Sequence, residues 1–194
     1  MSPSDGRAGL DVSPARRLIA TGEIPAPSSW LIQNVDLLPG RDSLALDVAC
    51  GAGRNALFLA AAGLRVRAAD RDAEALGLLE ASAARLALPV TVEVLDLEQP
   101  AADLGAAAYV LIVVTHYLHR PLFASLRRAL APGGVLIYET FTVDQASLGH
   151  PRNPAFLLEH GELPRLVAPL AILRERDGEF EGRRVAGVAA RAPG

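Results

Sequence analysis

Short apolar runs alternate with amphipathic stretches through most of this chain. Apolar runs near 44–49, 65–69, 90–95, 108–114, 134–140, 169–176 and 184–191 predict strands. Helical spacing near 54–63, 72–86, 121–130 and 161–167 predicts helices between them. Asp72 stands where it can cap the second of these helices, and Pro121 near the start of the third. The stretch Glu98 to Ala107 is short and broken by Pro100, which predicts an abbreviated or irregular connection, not a full crossover helix. Asp177-Gly178 reads as a hairpin turn joining the last two strands. The expected architecture is α/β, with five parallel strands followed by an antiparallel pair. The first ~25 residues are rich in Ser, Pro, Gly and charge, so residues 1–27 are expected to be flexible or partly helical, with one helix from Pro14 to Ala20. Residues 28–194 are expected to form a single domain.

The run Leu44 to Asp70 carries the most chemistry. A buried strand ends in Asp47-Val48-Ala49, a turn follows at Cys50-Gly51-Ala52-Gly53, then a helix, then a second strand ending in Asp70. Gly51 and Gly53 let the backbone bend and a ligand approach, and the helix start offers unpaired N–H groups. Asp70 falls where an acid accepts ribose hydroxyls. Gly51 to Ala56 satisfies the dinucleotide pattern G-x-G-x-x-A, with Asp70 about 20 residues on. Three features favour S-adenosyl-L-methionine (SAM) instead. Asp47 precedes the glycines, where a carboxylate crowds a pyrophosphate but suits an ammonium. The third strand also ends in an acid, Asp96, followed by Leu97, a pair suited to an adenine. Leu130-Ala131-Pro132-Gly133-Gly134 then leads into the fifth strand.

Asp-x-x-Cys-Gly-x-Gly, an acid after each of the next two strands, and L-x-P-G-G together resemble the class I SAM-dependent methyltransferases, over roughly residues 28 to 194. The resemblance implies a Rossmann-like, seven-stranded, mostly parallel sheet in the order 3-2-1-4-5-7-6 with helices on both faces, and SAM as cofactor. Gly53 to Ala60 is similar to the helix opening of the tellurite-resistance and related small-molecule enzymes. Tyr138-Glu139-Thr140-Phe141, with Pro151 to Pro154 and Phe156 to Leu158, resembles a little-characterised bacterial branch. Ala49 departs from the family, standing at the first glycine of D-x-G-x-G-x-G; its small side chain leaves the cofactor path open.

Carried onto this chain, the resemblance assigns Asp47 to the methionine ammonium, directly or through water, beside a structural role accepting backbone N–H bonds from the glycine turn. Ala49, Gly51 and Gly53 line the cofactor path. Asp70 takes the ribose, with a helix cap as its other reading. Arg71 stacks beside the adenine or is solvated. Asp96 and Leu97 recognise the adenine, unless Asp96 caps the turn after it. Thr115 to Arg120 follows the fourth strand, against the transferred methyl, with Thr115 facing the cofactor and Tyr117 the acceptor. His116 is a cofactor-side or acceptor-side contact or a polar lid residue. His116 and His119 have metal-ligand spacing but no persuasive third ligand, so no metal is expected. Glu139 is a candidate for the acceptor pocket, and alternation turns Tyr138 to the opposite face. The long stretch Val143 to His160 reads as a lid or binding segment, with Arg152 a candidate clamp for a carboxylate or oxyanion. Trp30 is a candidate apolar wall over the cofactor, or plain packing. No catalytic residue is assigned; where an amine or hydroxyl is methylated, His116 and Glu139 are the candidate bases.

Composition narrows the partners. The net charge is −3, and no basic run is present, so strong nucleic-acid binding is not expected. All 19 of the Lys and Arg residues are arginines. One cysteine excludes an intrachain disulfide and fits a reducing cytoplasm, and no apolar run is long enough to span a bilayer. The expected function is methyl transfer to a small-molecule nucleophile by in-line displacement. The alternatives are a methyltransferase acting on RNA or protein, and a SAM-binding protein without catalysis. Oligomeric state is not legible.

Overall fold

A computed structural model describes residues 10–99 and 102–194. Its strands are β1 (Leu44–Val48), β2 (Arg65–Asp70), β3 (Val90–Val94), β4 (Tyr109–Thr115), β5 (Leu130–Phe141), β6 (Ala171–Phe180) and β7 (Arg183–Arg191). They pair in one sheet in the order β3-β2-β1-β4-β5-β7-β6. The first five pair in parallel, and β7 runs antiparallel to both β5 and β6. This is the class I methyltransferase topology that the sequence resemblance implies. Helices α1 (Ser13–Ala20), α2 (Ser29–Gln33), α3 (Arg54–Ala61), α4 (Ala73–Arg85), α5 (Leu122–Ala129), α6 (Gln145–Leu148) and α7 (Glu162–Val167) complete the fold.

The central strands are apolar on both faces because both faces are covered. Ala45, Leu111, Val113, Val135 and Ile137 join the core that includes the α3 side chains. Their neighbours Leu46, Ile112, Val114, Leu136 and Tyr138 join the α5 and α7 core. Alternation therefore puts Asp47 on the α3 face. Helix α4 begins at Asp72, whose carboxylate accepts from the N–H groups of Glu74 and Ala75, both at 3.0 Å. Among the described residues no helix stands between β3 and β4; fully buried Leu104 packs there instead. Residues 100 and 101 of that connection lie outside the described residues, as do residues 1–9 of the N-terminal segment. Ala15 of α1 and Ile24 are buried in the same core as α3.

Three local expectations change. The pairing of β5 begins at Leu130, so the Pro132-Gly133-Gly134 run is an irregularity within the strand, with a register shift between Tyr109 and Leu111. The hairpin turn is not at Asp177-Gly178, which pair with Ala186 and Val185 inside the β6–β7 ladder. It falls at Glu181 and Gly182, both at positive φ (53° and 71°), the signature of a two-residue hairpin turn. Helix α2 was not apparent in the hydrophobic pattern. Its five residues are too few for periodicity to register, but the Ser28 side chain caps it, accepting from Leu31 N–H at 3.1 Å.

Candidate functional site

The glycine turn is built from left-handed positions at three alternate residues: Ala49 (φ 52°), Gly51 (φ 53°) and Gly53 (φ 78°). Gly53 has a second constraint, since a Cβ there would come within 2.3 Å of the Leu79 side chain on α4. Beneath the turn, Asp47 is 1% exposed. Its Oδ2 accepts from the Ala56 N–H at 2.9 Å, which ties β1 to the start of α3. Its Oδ1 is buried without a partner. Burial raises this carboxyl to about 7, against the pull of the Ala56 N–H and the Arg54 charge.

Asp70 closes the turn from the side. Its Oδ2 accepts from Gly51 N–H at 2.7 Å and its Oδ1 from Asp72 N–H at 2.9 Å. Each oxygen keeps a further lone pair. Asp96 is committed to the turn after β3, accepting from the Gln99 amide at 2.9 Å and from Glu98 N–H at 3.1 Å. These bonds hold its carboxyl below the ordinary range. Leu97 is buried in the α5 core. Arg71 is largely exposed and pairs loosely with Glu98 at 3.6 Å. The hydroxyl of Tyr117 is buried without a hydrogen-bond partner, and burial, with the Glu98 and Asp96 charges, lifts it to about 12.

Asn55 holds the site together and was not singled out in the sequence. Its side chain accepts from Ser28 N–H at 2.9 Å and donates to the Thr115 hydroxyl at 3.0 Å. One buried amide thus joins the start of α2, the start of α3 and the end of β4. The run Gly53-Arg54-Asn55 was the available signal, but it marked a family likeness and not a contact.

His116 also sits at a left-handed position (φ 59°), its N–H donating to the Glu139 carbonyl at 2.8 Å. Its ring stacks on Phe141, with centres 4.9 Å apart. Nδ1 lies 3.4 Å from Arg54 Nη2, and Nε2 lies 3.4 Å from Arg183 Nη1. Burial, then the Arg54 and Arg183 charges, depress its pKa to about 4, so the ring is neutral at pH 7. A base this weak takes a proton poorly at neutral pH.

Glu139 is 3% exposed and pairs with Arg176, whose Nε lies 2.7 Å from Oε2. Burial pushes the Glu139 carboxyl up, and the guanidinium opposes it. The two residues face each other across Gly187 of β7, one row of the sheet. Arg176 lies between the rings of Trp30 and Phe180, 4.7 and 4.2 Å from their centres. Trp30 is buried, and its indole N–H donates to Val188 O at 3.2 Å. Tyr138 faces the other way, its ring 4.9 Å from Phe123 and its hydroxyl donating to Tyr117 O at 2.6 Å. In the 143–160 stretch, Arg152 is exposed. Arg120 ties that stretch down, donating to Leu157 O at 2.9 Å and to Glu162 at 2.6 Å.

So Asp47, Ala49, Gly51, Gly53, Asp70 and Thr115 gather around one turn. Trp30 and Glu139 meet in a buried cluster with Arg176, and Arg152 stands apart. A groove of about 260 Å³ beside Asp96 is lined by Leu97, Glu98, His119 and Leu122. A larger cavity of about 390 Å³ lies away from the glycine turn, between α7 and the β6–β7 pair. No helix among the described residues is long and apolar enough to cross a membrane.

Residues 45–134 match the family model described as a methyltransferase domain. Over that stretch the chain resembles a methyltransferase domain. Its fold is shared with solved class I enzymes. TehB from Haemophilus influenzae is 18% identical with a TM-score of 0.71, covering 90% of this chain and 65% of its own. The chain therefore spans about two thirds of that protein's length. A TehB-like SAM-dependent methyltransferase from Corynebacterium glutamicum is 19% identical with a TM-score of 0.64, over 92% of this chain and 94% of its own. The geranyl diphosphate C-methyltransferase of Streptomyces coelicolor, solved with Mg2+, geranyl diphosphate and S-adenosyl-L-homocysteine, is 16% identical with a TM-score of 0.66, over 91% and 81%. No curated protein matches the chain in sequence. SAM is the cofactor named for the Corynebacterium glutamicum protein. The buried, partnerless Asp47 Oδ1 fits it, because a carboxylate oxygen cut off from water needs a donor such as an ammonium.

Proposed function

We propose that this methyltransferase domain passes the methyl group of SAM to a small-molecule nucleophile that needs no general base. The partnerless oxygen of Asp47 beneath the glycine turn carries the cofactor half of that reading. Asp47 would hold the ammonium of the methionine tail. Asp70 would accept the ribose hydroxyls on its spare lone pairs while still holding Gly51. Asp96 and the Tyr117 hydroxyl border the adenine side. SAM supplies a methyl group on a sulfonium: the sulfur–carbon bond breaks with its electron pair staying on sulfur as the nucleophile–carbon bond forms. His116, Phe141 and Thr115 wall the ends of β4 and β5 and keep water from that line.

The acceptor half rests on the two candidate bases. Glu139 is locked to Arg176, and His116 is depressed by burial and two flanking arginines. A thiolate or another acceptor already anionic at neutral pH suits such a site, since it has no proton to give up. The small-molecule class is supported by a net charge of −3 and by the geranyl diphosphate enzyme among the similar structures. Residues 28–194 are the catalytic unit in this reading, working in the cytoplasm.

Calorimetric titration with SAM, S-adenosyl-L-homocysteine and NADH tests it. Saturable binding of both sulfur nucleotides, weakened roughly 10- to 100-fold by Asp70→Ala, is expected, with no response to NADH. NADH binding without a SAM response overturns the cofactor. Binding of SAM without methyl transfer to any thiol or anionic acceptor leaves a SAM-binding protein.

A further inference from the structure

Arg54, His116 and Arg183 come from three distant parts of the chain: the first turn of α3, the residue after β4 and the start of β7. Each His116 ring nitrogen faces one guanidinium at 3.4 Å. A guanidinium has only donors, and a neutral imidazole has one acceptor nitrogen; a protonated one has none. At least one arginine therefore faces a nitrogen that cannot accept from it.

No carboxylate relieves this. Among the described residues neither Arg54 nor Arg183 forms an ion pair. The two carboxyls that feel the Arg54 charge are otherwise engaged: Asp47 lies buried under the glycine turn, and Glu139 is locked to Arg176. Two positive forks thus converge at the carboxyl ends of β4 and β5 around one uncharged ring, braced from behind by Phe141. An arginine fork matches the geometry of a carboxylate, which accepts two parallel N–H bonds from one guanidinium and keeps lone pairs for a second.

We propose that Arg54 and Arg183 clamp a carboxylate on the methyl acceptor, with His116 as the spacer between them. This rests on the small-molecule methyltransferase reading and adds the chemical class of the acceptor. The carboxylate is a handle that sets the angle of approach, while the methylated atom lies elsewhere on the acceptor. The methionine carboxylate of SAM carries the same chemistry, and Arg54, next to the glycine turn, is closer to it than Arg183. Arg183 is exposed on the far side of His116 and decides between the two sources.

The test uses the full chain saturated with S-adenosyl-L-homocysteine and titrated calorimetrically with benzoate and with benzamide, two probes of the same shape that differ in charge. Benzoate is expected to bind at least roughly tenfold more tightly than benzamide. Arg183→Gln and Arg54→Gln should each remove that preference, while Arg165→Gln on the exposed face of α7 keeps it. Affinity of the Arg183→Gln protein for S-adenosyl-L-homocysteine should stay within about twofold of the parent. Equal binding of the two probes, or no binding of either, overturns the clamp. So does a loss of S-adenosyl-L-homocysteine affinity in Arg183→Gln with benzoate binding unchanged, which hands the pair to the cofactor. Each of those results leaves the methyltransferase reading intact; failure of the parent protein to bind S-adenosyl-L-homocysteine removes that reading itself.

Discussion

Trp30 lies against the backbone of Gly187, where a Cβ would come within 3.0 Å of the indole Cε2. The contact joins helix α2 to the middle of β7, 157 residues apart by number (187 − 30). It also roofs the Glu139–Arg176 pair, which straddles the same glycine. Gly187→Ala is expected to overpack this point and cost about 1–3 kcal/mol. Trp30 is the sole tryptophan, so its fluorescence reports the change directly. A red-shifted emission with a lowered denaturant midpoint is expected; an unchanged spectrum would show that the indole is not seated there.

The Glu139–Arg176 pair is buried on both sides, the side chains being 4% and 6% exposed. Removing one partner of such a pair strands a charge and costs about 3–5 kcal/mol. Arg176→Met should be destabilising to that extent, and more so as pH rises and Glu139 ionises. Adding Glu139→Gln should recover part of the loss. Chemical denaturation of the two single variants and the double variant measures the coupling, and strict additivity would refute it.

Asp47 and His116 pull the pH profile of stability in opposite directions. The Asp47 carboxyl is raised from 3.8 to about 7 on folding, so the folded state holds the extra proton. Its contribution is complete below about 4 and is lost as pH rises through about 7. His116 is depressed from 6.5 to about 4, so its contribution is present above 6.5 and is lost as pH falls toward 4. Asp47→Asn should flatten the loss of stability toward pH 7 and leave a profile that rises with pH between about 4 and 6.5. Thermal melts of the free protein across that range check the sign. The same variant should bind S-adenosyl-L-homocysteine roughly 10-fold or more weakly, so stability and cofactor affinity part company.

Ala49 occupies a left-handed position that costs a non-glycine residue about 1–2 kcal/mol. Glycine there gives back about 0.5–1 kcal/mol of that in unfolded-chain entropy. Ala49→Gly is therefore expected to raise stability by up to about 1 kcal/mol, unlike most insertions of glycine. A lowered melting temperature would show that the alanine methyl makes a contact worth more than the strain.

The strands and the glycine turn were legible because they depend on local pattern, while the strand order came only as what the family resemblance implies. Buried parallel strands need apolar runs, a sharp turn before a helix needs glycines, and alternation turns Asp47 and Tyr138 to particular faces. Each signal lies within one short window of sequence. The hairpin at Glu181-Gly182 shows the limit of such windows: Asp177-Gly178 has the favoured turn composition, yet the ladder with β7 runs past it.

What the sequence by itself determined is the frame: a seven-stranded sheet, an acid beneath the glycine turn and acids at the tips of the next two strands. Tertiary structure decided how the remaining polar side chains were used. Glu139 pairs with Arg176 because β7 lays Gly187, which has no side chain, between them. His116 meets Arg54 and Arg183 because parallel crossovers and the final hairpin bring three remote segments to one end of the sheet. Charge and hydrogen-bond partners act over a few ångströms of space, and strand pairing across 60 or more residues sets that space.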